Sequence, residues 1–291
     1  MSKVRWALIG SPLDCSATSR GEELGPSALR ATGLVDDLDL DDRGDAHAVL
    51  TDTRRDPTTG IVAFAQLQRA CQQVRDQVAD VLADGLRPLV VGGDCSCLVG
   101  ALAGTRLGFG RIGLAFFDGH LDCLDGHTSP TGEGADMDLA LSYGHGAAGL
   151  IDLAGTPPIV GAGDIVAVGH RSDDGLEERV VDMRVARIGA EVLQQHGGAA
   201  VGTDIADRMA NVGHYWVHVD VDILDEAVLP AVTYPQPGGT DWDQLASLLR
   251  PVLAGAGLVG LSVADLVPPL DPDGTHAKRL AVAARPPGPL T

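Results

Sequence analysis

The sequence predicts an α/β fold, a mostly parallel sheet with helices on both faces, and three observations carry that prediction. Short, almost wholly apolar runs recur along the chain, amphipathic stretches of helical period separate them, and two of the runs end abruptly in carboxylates. Short runs that are apolar on both faces read as strands buried in a parallel sheet. Their alternation with amphipathic stretches places helices against each face.

In chain order the strands are predicted at residues 4–9, 88–91, 112–117, 165–168, 185–188, 215–221 and 258–263. Between the first two, residues 61–84 carry the pattern of one long amphipathic helix, ended by Gly85. Residues 241–253 carry another, capped by Thr240 or Asp241. The acidic stretch 36–42 reads as a solvated charge run. The tail from residue 285 to 291, with three prolines, reads as irregular. No internal repeat or interdomain linker interrupts the pattern, so residues 1–291 are expected to form one domain.

Composition narrows the function. At 291 residues and 45% hydrophobic content the chain can bury a sizeable core. Its formal charge is −19 and its only lysines are Lys3 and Lys278, which argues against nucleic acid or an anionic membrane as partner. The same charge favours a small cationic substrate. Five cysteines (Cys15, Cys71, Cys95, Cys97 and Cys123) show no disulfide-framework spacing. With no secretory pattern at the N-terminus and no apolar run of membrane length, a cytoplasmic location is expected.

The two acidic runs are Asp118-Gly119-His120-Leu121-Asp122 and Asp220-Val221-Asp222-Ile223-Leu224-Asp225. Each closes a buried strand, and neither contains lysine or arginine. Carboxylates massed at such a place destabilise the fold unless a positive partner neutralises them. In extended backbone, residues i and i+2 point the same way, so Asp118, His120 and Asp122 converge from one strand end, and Asp220 and Asp222 from another. Four carboxylates and an imidazole suit manganese, iron or zinc better than calcium. Both runs lie at strand carboxyl ends, where open α/β sheets bind ligands.

In these motifs and their order the chain resembles the arginase, agmatinase and formiminoglutamase group of ureohydrolases. Gly92-Gly93-Asp94-Cys95-Ser96 resembles the family's Gly-Gly-Asp-His-Ser, and Asp118-Gly119-His120-Leu121-Asp122 its Asp-Ala-His-x-Asp. His218 through Asp225 resembles the Asp-x-Asp-x-x-Asp signature, and Gly260 through Asp265 a late segment ending in a catalytic-site Glu. The resemblance implies a three-layer α/β/α fold, self-association into a homo-oligomer, and two manganese ions. It implies water activated on those ions, attacking the carbon of a guanidine or linear amidine and releasing urea or a related amide. By position, Cys95 and Asp122 would serve one ion, His120 and Asp222 the other, and Asp118 and Asp220 would bridge them.

Three departures accompany the resemblance. The first-metal histidine is Cys95, whose softer thiolate shifts preference toward zinc or iron(II). The family's proton-shuttle histidine aligns with Ala135, leaving His145, or else His127, as the loop imidazole to supply a proton. The late Glu is Asp265, which still offers a carboxylate to a guanidinium but reaches one methylene less far. Leu124 stands where amino-acid-specific members hold the amino-acid end, which argues against free arginine. The loop 127–136 is expected to set specificity instead, through Thr131, Glu133 and Asp136. Two other readings fit the departures: a single-metal amide hydrolase on the same fold, and a catalytically decayed member that binds a metal or ligand.

Overall fold

The computed structural model describes residues 5–47, 49–171, 184–283 and 285. Eight strands form one sheet: β1 (Trp6–Ser11), β2 (Asp41–Asp45), β3 (Arg87–Gly92), β4 (Gly113–Phe117), β5 (Ile165–Val168), β6 (Ala186–Ile188), β7 (Tyr215–Asp220) and β8 (Leu258–Ala264). Their spatial order is β2-β1-β3-β8-β7-β4-β5-β6, and every pairing between them is parallel. The chain passes from β3 to β4 across a gap that β7 and β8 fill later. The carboxyl ends of β3, β8, β7 and β4 therefore stand side by side in the middle of the sheet.

Alternation along the strands separates two cores. Ile9, Val90, Leu114, Phe116 and Trp216 pack with Val74, Val78, Leu98 and Leu102 of the helices Phe64–Ala83 and Cys97–Phe109. Their strand neighbours Leu8, Leu89, Ala115, Phe117 and Val217 pack with Ile205, Met209, Leu245 and Leu248 of the helices Gly198–Val212 and Trp242–Leu253. This gives three layers, because each strand buries both of its faces.

All seven expected strands are present with ends displaced by a residue or two; the start of the first, at residue 4, lies outside the described residues. The long helix begins at Phe64 and not at residue 61, because Val62 donates its N–H to the Gly132 carbonyl at 2.8 Å and Ala63 turns at φ 49°. The helix Trp242–Leu253 starts from Asp241, whose side chain accepts from the Gln244 N–H at 2.8 Å in a reciprocal capping box. The stretch 36–42 needs correction: it is not merely a solvated charge run. It spans the end of a short helix, Leu34–Leu38, and the start of edge strand β2. An edge strand is paired on one side only, so it escapes the apolar requirement of the sheet interior. Arg30 holds it by bonds to Asp42 at 2.9 Å and Asp45 at 2.6 Å.

The helices Phe64–Ala83 and Cys97–Phe109 approach closely at Gly100, where a Cβ would stand 2.4 Å from the Cys71 carbonyl oxygen. Gly100→Val is therefore expected to destabilise the protein by about 1–3 kcal/mol through overpacking. Urea unfolding measures this, and an unchanged midpoint would contradict the packing described.

Candidate metal centre

Four strand ends deliver the site. Beyond β3 the chain turns through Gly93, whose carbonyl accepts from the Asp265 N–H at 2.7 Å, and reaches Cys95. A Cβ on Gly93 would lie 1.9 Å from the Leu13 carbonyl oxygen, so only glycine fits this turn. Beyond β4, Asp118 donates its N–H to the Val168 carbonyl at 3.0 Å, and the Gly119 N–H bonds Asp222 Oδ1 at 3.0 Å. Gly119 too is required: a Cβ there would fall 2.1 Å from Arg171 Nη1. That buried guanidinium donates to the carbonyls of Asp222 at 2.8 Å and Leu224 at 3.0 Å, fixing the turn beyond β7. In that turn the Asp222 N–H bonds Asp220 Oδ1 at 2.7 Å. Beyond β8, Asp265 is held at φ 72°.

The side chains then converge. Ligand atoms of Asp118, His120 and Asp222 lie within 4.8 Å of one another, as do those of Cys95, Asp220 and Asp265, and those of Cys95, Asp118 and His218. His120 Nδ1 is 2.8 Å from Asp222 Oδ2. Cys95 Sγ is 2.6 Å from Asp220 Oδ2, 2.7 Å from Asp265 Oδ2 and 3.2 Å from His218 Nε2. Asp122, at φ 41°, lies beside Asp118 and lines the adjoining cavity. Five of the six sequence-predicted ligands thus fall in the tight groups, and Asp122 flanks them. Asp265 joins the ligand cluster as well as facing the cavity.

These groups hold more acceptors than protons. A thiol has one hydrogen, yet Cys95 faces two carboxylates. Among the described residues no hydrogen bond reaches Asp118 Oδ2 or either oxygen of Asp138, all of them buried. Burial first, and then neighbouring carboxylates, push Asp118, Asp122, Asp220 and Asp265 well above the usual carboxylate range. Asp138 is also raised, by burial and by Asp265. Cys95 is raised by burial and by Asp220. Burial raises Asp222 too, but His120 outweighs it and leaves that carboxylate below its ordinary value. Burial lowers His218 to about 3, so its imidazole is neutral. Carboxylates with unmet oxygens, neutral imidazole and a thiol together fit a divalent cation of the manganese, iron or zinc group.

Beside the cluster lies a cavity of about 210 Å³, lined among others by Arg20, Glu22, Leu124, Thr131, Glu133, Asp136, Tyr234 and Asp265. All three predicted substrate residues line it, and all three are already engaged. Arg20 clasps Glu133 through Nη1–Oε1 at 3.2 Å and Nη2–Oε2 at 2.8 Å, and reaches the Tyr234 hydroxyl at 3.2 Å. The hydroxyls of Ser129 and Thr131 donate to Asp136 Oδ2. Thr233 donates to Glu22, whose carboxyl is pushed up to about 9 by burial and by Asp265.

His145 is not brought to this cavity: its Nε2 lies 3.6 Å from Asp125 Oδ2, and its side chain is 59% exposed. His127 Nε2 sits on the Thr58 carbonyl at 3.1 Å. Both are loop histidines spent on holding loops. A wider groove of about 620 Å³, between the helices Trp242–Leu253 and Thr275–Ala283, is lined by Arg250, Lys278, Arg279 and Arg285, and among the described residues it gathers no ligand set.

Sequence reasoning missed Arg20, Glu22, Asp138 and His218. His218 had a readable signal, since it stands two residues before Asp220 and so on the same face of β7. Arg20 and Glu22 follow β1 in a long connection, and nothing local says that this connection folds over the centre.

A model of the arginase family matches residues 4–285 of the chain. An arginase of Brevibacillus brevis is 31% identical over 288 residues, covering 95% of each chain. The native structure of the arginase from Bacillus caldovelox superposes with a TM-score of 0.90 at 26% identity, covering 97% of this chain and 96% of that one. The formimidoylglutamase of Bacillus subtilis shares the fold at a TM-score of 0.77 and 19% identity, over 97% of this chain and 85% of its own.

Two outcomes follow from the buried acids. A carboxyl raised in the folded state stabilises the fold while it is protonated. For Glu22 that contribution is complete below pH 4.5 and lost as the pH climbs through about 9. The raised aspartates act in the same direction. The chelator-treated protein is expected to melt at falling temperature across that window in calorimetry, and divalent cation is expected to flatten the slope. Asp138→Asn removes a buried carboxyl that the fold must keep protonated while the unfolded chain ionises it, and should raise the melting temperature of the metal-free protein at neutral pH. A lower value would contradict the absence of a compensating donor.

Proposed function

The chain belongs to the arginase family, and on that premise we propose that it is a metal-dependent hydrolase cleaving a C–N bond of a guanidine or linear amidine, releasing urea or a related amide. The observation that carries this reading is the convergence of Cys95, Asp118, His120, Asp220 and Asp222 beside an acidic cavity. By the family resemblance Cys95 and Asp122 would hold one ion, His120 and Asp222 the other, and Asp118 and Asp220 would serve both. Manganese is the ion the family resemblance favours, and Cys95 makes zinc or iron(II) competitive. Bound divalent ions supply Lewis acidity and lower the pKa of water to about 7.

The remaining work falls to the chain itself. Seven carboxylates line the cavity (Glu22, Asp122, Glu133, Asp136, Asp220, Asp222 and Asp265) against the single guanidinium of Arg20, which favours a cationic substrate. Asp265 accepts from the nitrogens of the substrate guanidine and fixes its plane beside the cluster. Leu124 offers no polar grip on an amino-acid end. Glu22 lines the cavity and keeps its proton up to about 9, so it is placed to protonate the departing amine in the role first expected of His145, which does not line the cavity.

We further propose that the protein works in the cytoplasm as a homo-oligomer. Its five cysteines are buried and form no disulfide among the described residues, and no helix among those residues is long and apolar enough to cross a membrane. Self-association rests on the family resemblance.

Metal-reconstituted protein assayed against a panel of guanidines and linear amidines should release urea or the matching amide. Removing even a hydrogen-bond partner of a ligand typically costs about 10–100-fold, so Asp118→Ala should lose more than that. Turnover unaffected by Asp118→Ala would rule out the metal mechanism. Glu22→Gln should lower kcat by about 10²–10⁴-fold with metal content unchanged, and retention of full kcat would remove Glu22 as the acid.

A further inference from the structure

His218 is a buried imidazole that the roles assigned above leave unused. It stands on β7 two residues before Asp220, so it leaves the sheet on the same face but deeper, under Cys95. Its ring is stacked on Phe116 at 5.3 Å between centroids, with an interplanar angle of 25°. Nδ1 lies 2.7 Å from Ser262 Oγ, and that hydroxyl also accepts from Trp216 Nε1 at 2.9 Å. Nε2 faces Cys95 Sγ at 3.2 Å and Asp138 Oδ2 at 3.9 Å. A carboxylate oxygen of Asp118 falls within 4.8 Å of both the sulfur and the nitrogen.

We propose that His218 ligates the first metal ion through Nε2, forming with the Cys95 thiolate and Asp118 a buried sulfur–nitrogen–oxygen site that selects a zinc-class ion over manganese. The inference rests on the cluster being a metal centre and is independent of the substrate class. It restores to the first position the imidazole that Cys95 removes from the loop after β3, now delivered from the neighbouring strand.

Four observations support it. The second ring nitrogen of a metal-bound histidine characteristically donates to an outer partner that fixes the ring. Ser262 is such a partner, with one lone pair for Trp216 and one for His218 Nδ1–H. Asp118 Oδ2 is buried with no hydrogen-bond partner among the described residues, and so are both oxygens of Asp138, whose Oδ2 lies 3.9 Å from Nε2. A neutral imidazole adds no charge, so the Cys95 thiolate and the Asp118 carboxylate are set against the two charges of a divalent ion. Thiolate with imidazole is a donor pair preferred by zinc, and by cobalt or iron(II), over the harder manganese. Binding forms a sulfur–metal bond and releases the Cys95 thiol proton to solvent.

The test uses the full chain, stripped with chelator and reloaded with cobalt(II) or zinc alone. Cobalt protein should show a thiolate-to-cobalt charge-transfer band that Cys95→Ser abolishes. With both positions filled, proton NMR should show two paramagnetically shifted, exchangeable imidazole N–H signals, from His120 and His218. His218→Asn keeps a polar group toward Ser262 but deletes Nε2. It should lose the first ion by elemental analysis while retaining the second. Ser262→Ala should weaken zinc binding by about 10–100-fold with both ligands still in place. The NMR count needs no variant, so a folding failure of His218→Asn leaves the test intact. Cobalt bound with one shifted N–H signal, or a His218→Asn protein with unchanged stoichiometry and spectrum, overturns the inference while leaving the metal centre standing. No cobalt or zinc bound by the unaltered chain overturns both.

Discussion

Unmet negative charge in the middle of the sheet is the constraint around which this molecule is organised. Asp118, Asp138, Asp220 and Asp222 are buried together, and the guanidiniums nearest to them are committed elsewhere. Arg171 donates to backbone carbonyls of the turn beyond β7, and Arg20 stays at the rim with Glu133. Buried carboxylates in this position either keep protons or share a cation. The first choice leaves a stable but inert cluster, and the second gives a centre able to activate water. Stability without metal and competence with metal are therefore opposed in the same side chains.

The sheet makes this crowding tolerable. Because β3, β8, β7 and β4 are adjacent, the two acidic turns brace each other: Gly119 N–H holds Asp222 Oδ1, and Asp222 N–H holds Asp220 Oδ1. The glycines at 93 and 119 let backbones and Arg171 approach where a Cβ would collide. Each carboxylate is thus fixed before any ion arrives, which reduces the reorganisation that binding demands.

The cavity distributes its charge in two layers. At the rim, Arg20 neutralises Glu133, and two hydroxyls occupy Asp136, so the loop that was expected to greet a cation is internally satisfied. Deeper, Asp265 and Glu22 face the cavity with carboxyl groups raised by burial. Recognition of the proposed cationic substrate would therefore fall on the inner layer, with the rim setting shape more than charge.

The apolar runs, the helix periodicity, the cap at Asp241 and the two acidic turns were legible in the sequence because each is a local pattern with a local cause: period, capping chemistry, or i and i+2 geometry. The family motifs likewise pointed to Cys95, Asp118, His120, Asp220 and Asp222, which the structure brings together. Edge strand β2 was not legible, since an edge strand lacks the apolar signature that burial imposes on inner strands. Nor were Arg20, Glu22 and Asp138, which come to the centre from segments far apart in the chain. Partnership is what the tertiary structure alone decided: that Glu133 meets Arg20, that His145 turns to Asp125, and that His218 lies against Cys95 across 123 residues of chain. Such pairings are set by strand order and loop packing, which depend on the whole sheet and leave no mark on the residues beside them.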